Sequence, residues 1–383
     1  MATRILFLHH TAIIGGAELH LLSVARHFRE TSTVVLFADG PLRDAFDTAD
    51  VQVRVFPSEW AAQGVRHENP RLSPRNIAAV LRLAWLTARS ARRADFIYAN
   101  SPKALLVSSV ARLVRRKPVI WFLHDLLDET HFSPRAIRLL VTTANRTAAR
   151  ILANSRATFT AFVSAGGRSD LVRVVYDGFD ATPFTAATSV DVSALRAELS
   201  RDGSGVLGVF SRITQWKGQH VVLRALVSVP SLVAVFVGEE EDPAFGNELR
   251  LLARELGVAD RVRFLGFRKD VPALMRMVDC VVHVSIDPEP FGRVVVEGML
   301  ARRPVIATRA GGTPEIIEDG VSGILTTPGS PDELAAALLR VFSDPVAAAR
   351  MAANGQERAL TLFSEARMLR EIEQHVSDVS LIS

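Results

Sequence analysis

Short β-branched apolar runs alternate with longer stretches of helical periodicity along the whole chain. ILFL (5–8), VVLF (34–37), VRVF (53–56), FIYA (96–99), VIWF (119–122) and VRVV (172–175) have the length and near-continuous apolarity of strands covered on both faces. Amphipathic runs separate them; in 17–29, for example, Leu21, Leu22, Ala25 and Phe28 recur at helical spacing. The rhythm restarts with VLGVF (206–210), LVAVFV (232–237), VRF (262–264), CVVHV (280–284), PVIA (304–307) and GIL (323–325). Two such series predict an α/β protein of two Rossmann-like, doubly wound parallel-sheet domains. The Thr-, Ser- and Ala-rich stretch 177–193 lacks periodicity and reads as the linker, placing the domains at 1–180 and 191–363. Residues 364–378 predict a final amphipathic helix.

Composition narrows the picture. A chain of 383 residues with 48% hydrophobic and 22% charged residues builds large cores and is far from disordered composition. The single cysteine, Cys280, permits no intrachain disulfide, and no Cys/His cluster has zinc-site spacing, which fits a reducing compartment. The start, MATRILFLHHTAIIGG, lacks the apolar core of a secretory signal, and no run reaches the roughly 18 apolar residues of a spanning helix, so the expectation is a cytoplasmic protein. The net charge of +4 is uneven: 24 Lys+Arg face 15 Asp+Glu up to residue 190, and 21 face 26 beyond it. Two basic helices, 74–93 with Arg75, Arg82, Arg89, Arg92 and Arg93, and 103–117 with Lys103, Arg112, Arg115, Arg116 and Lys117, suit either solvated faces or peripheral contact with an anionic membrane.

In open parallel sheets ligands bind beyond the carboxyl ends of the strands, so the loops there are the places to look for chemistry. After the first strand, HHTAIIGGAE carries Gly15 and Gly16 before a helix, either a plain turn or a place where a backbone comes close to a phosphate. SRITQWKGQ places Arg212 and Lys217 at the entrance to a helix, where two cations and the helix dipole suit a diphosphate. In HVSIDPEPFGRVVVEGML, Pro288 and Pro290 keep Glu289 in a loop, and Glu297 falls on the second turn of the helix that follows. Helical side chains lean toward the N-terminus, which turns Glu297 toward the crevice holding Glu289. Carboxylates there suit sugar or ribose hydroxyls, and the amides of Phe291, Gly292 and Arg293 suit a phosphate. A formal G-x-G-x-x-G at Gly203, Gly205 and Gly208 runs into a strand instead of opening a helix, which argues against a nicotinamide or flavin site. His124, Asp125, Asp128 and His131 match no established metal spacing.

Together the Arg212/Lys217 loop, Glu289 followed eight positions later by Glu297, AGGTPEII (310–317) and the early GG loop resemble the retaining GT-B glycosyltransferases of the family-4 type, in the right order over nearly the whole chain. The resemblance implies two Rossmann-like domains closing on a nucleotide-diphosphate sugar, UDP- or GDP-linked with UDP preferred, and transfer to an acceptor hydroxyl with retention and without a metal or other cofactor. By similarity, Arg212 and Lys217 would neutralise the diphosphate and Glu297 would hold the ribose. Glu289 would contact the donor sugar beside the amides of Phe291 and Gly292, and Gly16 would let its loop approach the phosphates. His124 matches the family's active-site histidine, and the last helix, 364–383, would cross back onto the N-terminal domain. The absence of a D-x-D triplet agrees with metal independence. Where the family commonly has Asn-Gly-X-Asp, this chain has Asp177-Gly178-Phe179-Asp180, so an amide donor is lost. The acceptor, a glycan, lipid or small molecule, is not legible, and the loop 57–73 that would shape its pocket resists interpretation. A glycoside hydrolase would not need a cationic phosphate site. A sugar-nucleotide epimerase on the same fold and a non-catalytic polyanion-binding protein are the other readings, although no nucleic-acid motif occurs.

Overall fold

The computed structural model describes residues 3–62, 73–186, 190–200 and 203–382. It divides into two compact units, Met1–Gly178 with Glu365–Ser383, and Phe179–Ser364.

The first unit holds a seven-stranded parallel sheet: β1 (Ile5–His9), β2 (Thr33–Leu36), β3 (Val53–Val55), β4 (Phe96–Ala99), β5 (Val119–Leu123), β6 (Ala148–Ala153) and β7 (Val172–Val174), in the order β3-β2-β1-β4-β5-β6-β7. Period-two alternation sends Leu6, Leu8, Ile97 and Trp121 to one buried face and Ile5, Phe7, Tyr98 and Phe122 to the other. The second face is covered in part by the C-terminal helix Glu365–Ile382, whose Met368, Ile372, Val376 and Val379 recur every three or four residues and join that core. Three helices on this sheet begin at a Ser-Pro pair: Ser73, Ser101 and Ser133 each accept a hydrogen bond from the third residue on, and proline fills the first helical position.

The second unit holds β8 (Gly205–Phe210), β9 (Leu232–Val237), β10 (Val262–Gly266), β11 (Cys280–His283), β12 (Val305–Thr308) and β13 (Ile324–Thr326), all parallel, in the order β10-β9-β8-β11-β12-β13. In both sheets the strand order reverses beside the first strand, between β1 and β4 and between β8 and β11. At such a switch point neighbouring loops diverge to opposite sides and leave a crevice. Gly205 and Gly208 lie in β8, where added Cβ atoms would strike the Phe342 and Phe210 rings, so close packing accounts for these glycines. Cys280 is fully buried, and burial pushes its thiol up.

Three expectations need correcting. One strand, β6, went unread: the helix Pro134–Thr147 passes directly into it without Gly or Pro, and Arg150 interrupts its apolar run. The unit boundary falls at the very start of the stretch read as the linker: the division comes after Gly178, and Phe179 already packs in the second unit, stacked on Phe291. Lys103 is not part of a basic surface. Its ammonium is buried, donates to the Trp60 and Ala61 carbonyls at 2.8 Å and lies 5.3 Å from the Trp60 ring centre. Of the loop 57–73, residues 63–72 lie outside the described residues.

Burial lowers the Lys103 pKa to about 8. The unfolded chain therefore binds more protons than the folded one between that value and the ordinary lysine pKa. Unfolding free energy should rise from pH 8 toward pH 10 by urea titration, and Lys103→Met should flatten the rise.

Candidate active site

In the second unit the loops after β8 and β11 are stitched together at the switch point. Gly218 adopts φ +73° with its α-carbon so close to Val284 that a Cβ would lie 2.0 Å from the Val284 carbonyl oxygen, and the Ile286 amide donates to the Trp216 carbonyl at 2.8 Å. This brings Lys217, from the first loop, to Glu289, from the second. The Lys217 ammonium donates to Glu289 Oε1 while lying 4.0 Å from the Trp216 ring centre. Ser285 donates to the same oxygen at 2.7 Å, and His283 Nε2 lies 3.3 Å from it. Burial alone would raise the Glu289 carboxyl, but the Lys217 charge and His283 outweigh it and hold the group well below the usual carboxylate range. Every donor converges on Oε1; Oε2 takes no hydrogen bond from the described residues.

Glu297 stands in a different field. It lies on the second turn of the helix Arg293–Leu300, with Arg293 Nε 3.9 Å away, and burial raises its pKa despite that cation. The Arg293 guanidinium sits 4.2 Å from the Phe179 ring centre, and its Nε and Nη1 are buried without a hydrogen-bond partner among the described residues. Phe291 is a buried anchor, stacked on Phe179 and edge-on to Phe363, and Gly292 caps the helix at φ +109°, offering no side-chain acceptor at the N-cap position. The loop after β12 closes the floor: the Gly312 amide donates to the Glu289 carbonyl at 2.9 Å, and a Cβ at Gly311 would lie 2.0 Å from that same oxygen.

Arg212 does not join this cluster. Half exposed, its Nη1 donates to both Glu241 oxygens at 2.7 Å, so the two cations expected to act together have separate carboxylate partners. Glu289 and Glu297 likewise have separate cations.

In the first unit, Gly15 caps the helix Gly16–His27 in an extended conformation, and a Cβ there would approach Glu18 Oε2 to 2.9 Å. The bare Gly15 thus makes room for the Glu18 carboxylate. Half-buried His124 follows β5, its Nε2 3.0 Å from Asn100 Oδ1, and its ring lies edge-on to His20 at 4.9 Å. Buried Asp177, standing where the family has an amide, lies 3.1 Å from His20 Nδ1. His131 pairs with Asp128 at 2.7 Å, and among the described residues no group of three or more His, Cys, Asp or Glu side chains is placed to hold a metal. Sequence reasoning missed His283, Ser285 and Asn100. The first two immediately precede the Glu289 loop, but a histidine and a serine at a strand end carry no signal until the loop folds back on them.

Two doubly wound sheets with polar clusters at their switch points define the GT-B class. Comparison with known proteins agrees: residues 14–182 match Glycosyltransferase Family 4, and residues 193–358 match Glycosyl transferases group 1. The crystal structure of Anabaena HepE in complex with UDP and glucose superposes with a TM-score of 0.88 at 39% identity, covering 98% of this chain and 99% of that one. A D-inositol 3-phosphate glycosyltransferase of Mycolicibacterium gilvum is 37% identical over 185 residues, 47% of this chain and 40% of its own. LpsE of Rhizobium meliloti, a lipopolysaccharide core biosynthesis glycosyltransferase, is 29% identical over 175 residues, 46% of this chain and 50% of its own. The matches to these curated relatives span about half their length or less. The chain belongs to the GT-B glycosyltransferases of the family-4, group 1 type.

The Gly311 contact makes a direct prediction. Gly311→Ala would force a Cβ into the Glu289 carbonyl at φ +59° and should destabilise the protein by roughly 2–4 kcal/mol, read as a lower melting temperature.

Proposed function

We propose that this protein transfers a sugar from a UDP-sugar to an acceptor hydroxyl, with retention at the anomeric carbon and without a metal ion. The observation that carries the reading is the Lys217–Glu289 cluster, which sets an ammonium and a carboxylate with one unoccupied oxygen at the switch point, beside the uncapped amides that follow Gly292. In the reaction the bond from the anomeric carbon to the diphosphate oxygen breaks, the acceptor oxygen bonds to that carbon, and the acceptor proton leaves with the nucleoside diphosphate. Negative charge grows on the diphosphate as the bond breaks, so a fixed cation there stabilises the transition state more than the ground state. Lys217 has this role, and Arg212 joins it by leaving Glu241. Glu289 accepts from a sugar hydroxyl through Oε2, Glu297 holds the ribose beside the Arg293 guanidinium, and by the family resemblance His124 would act on the same sugar. HepE, solved with UDP-glucose as well as with UDP, supports the choice of base.

UDP should raise the melting temperature more than GDP, ADP or dTDP, because a ligand bound only by the folded state stabilises it. Equal shifts from all four would refute the UDP assignment. Lys217→Ala and Arg212→Ala should each lower turnover by roughly 10²-fold; near-normal turnover in both removes the phosphate role. An inverted anomeric configuration in the product, read by NMR coupling constants, would overturn retention.

The acceptor side includes an anionic membrane surface. On the helix Pro74–Ser90, Ile77, Leu81 and Trp85 form an exposed stripe at spacing four, with the Arg89 guanidinium 4.8 Å from the Trp85 ring centre. The adjacent helix Pro102–Val114 ends in exposed Leu113 and Val114, followed by Arg115 and Arg116. Apolar side chains flanked by arginines suit insertion at an anionic headgroup layer, and no helix among the described residues is long and apolar enough to cross a membrane. Flotation with phosphatidylglycerol vesicles should recover the protein and Trp85→Glu should abolish recovery; equal binding to neutral vesicles counts against docking.

A further inference from the structure

Four polar side chains, three of them buried and His124 half-buried, form one line across the switch point of the first sheet. Glu18 Oε1 lies 2.6 Å from His9 Nε2, His9 Nδ1 lies 3.3 Å from Asn100 Nδ2, and Asn100 Oδ1 lies 3.0 Å from His124 Nε2. His9 and Asn100 are buried to within about 1% of full exclusion from solvent. Their hydrogen positions follow from donor and acceptor chemistry alone. The Asn100 amide nitrogen also donates to the Ala17 carbonyl at 2.9 Å. Turning the amide over would set two acceptor oxygens against each other there, so its orientation is fixed. Burial alone would raise the Glu18 carboxyl, but the hydrogen bond from His9 prevails and the group is held low, as a carboxylate. An ionised carboxylate only accepts, so the proton of His9 sits on Nε2 and its Nδ1 receives an Asn100 N–H. Asn100 Oδ1 in turn only accepts, so His124 must carry a proton on Nε2.

We propose that Asn100, braced by Ala17 and by the His9–Glu18 pair, is a positioning residue that fixes the ring orientation and the Nε2–H tautomer of His124. The inference rests on the proposed sugar transfer for its functional meaning and on the hydrogen-bond geometry for its structural content. Gly15 lacks a side chain where the Glu18 carboxylate folds back to reach His9. A histidine near a reacting sugar acts through whichever ring atom faces it, and a second-line partner that selects tautomer and rotamer decides which atom that is. Without the Asn100 acceptor the ring loses the contact that holds its proton on Nε2.

The test uses full-length protein labelled with ¹⁵N-histidine and long-range ¹H–¹⁵N correlation spectra, with His124→Gln assigning the signal. The wild type should show neutral His124 as a single Nε2–H species. Asn100→Leu should populate the Nδ1–H form and lower kcat roughly 10- to 10²-fold, the scale typical of losing a histidine's orienting partner, with the donor KM nearly unchanged. A neutral Nδ1–H His124 in the wild type overturns the proposal, as does an unaltered tautomer in folded Asn100→Leu. If the leucine variant does not fold, the wild-type spectrum decides alone. That spectrum needs no substrate, so failure of the wild type to transfer any sugar refutes the transferase reading, while the tautomer assignment stands or falls on the histidine signal.

Discussion

A carboxylate enclosed as deeply as that of Glu289 stays ionised only where cations and hydrogen-bond donors reach it, since isolating such a charge costs several kcal/mol. The surrounding architecture meets that requirement. Lys217 comes from the loop after β8, His283 and Ser285 from the end of β11, and the floor from the Gly311–Gly312 turn after β12. These segments are far apart in the chain. They meet because parallel pairing lays β8, β11 and β12 side by side with their carboxyl ends together. The close approach at Gly218 and Gly311 leaves no room for side chains, so the loops hold the ion pair as rigidly as the strands hold the loops.

Two carboxylates eight residues apart are driven in opposite directions by their surroundings. Glu289, with an ammonium, an imidazole and a hydroxyl on one oxygen, is a permanent acceptor. Glu297, with a guanidinium at the edge of contact, is nearer to taking a proton. Environments that separate like groups in this way assign them different tasks. The first unit meets the same problem with mostly neutral groups. Along the line from Glu18 that one carboxylate is reached by a histidine, and polarity passes on through an amide to His124.

Much of the fold was legible in the chain. Strands covered on both faces must be almost wholly apolar, and all twelve runs singled out coincide closely with strands, VRVF and VRVV forming the short edge strands β3 and β7. β6 escaped because its apolar run is interrupted by Arg150 and no turn residue separates it from the preceding helix. At the site, Glu289 and Lys217 announced themselves as charged residues in strand-to-helix loops, while Arg212 looked equivalent to Lys217. Five residues of loop do not determine which way a long, flexible side chain turns, and Glu241, nearly thirty residues on, decides it here.

By itself the sequence determined the alternation of elements, the two parallel sheets and the loops that carry polar chemistry, because those depend on periodicity and local backbone preference. Tertiary structure alone decided which charges pair, that Lys103 is interior and not surface, and that Asn100 stands between two histidines. Each of these depends on strand order and on side chains brought together from distant positions, and nothing local in the chain encodes that proximity.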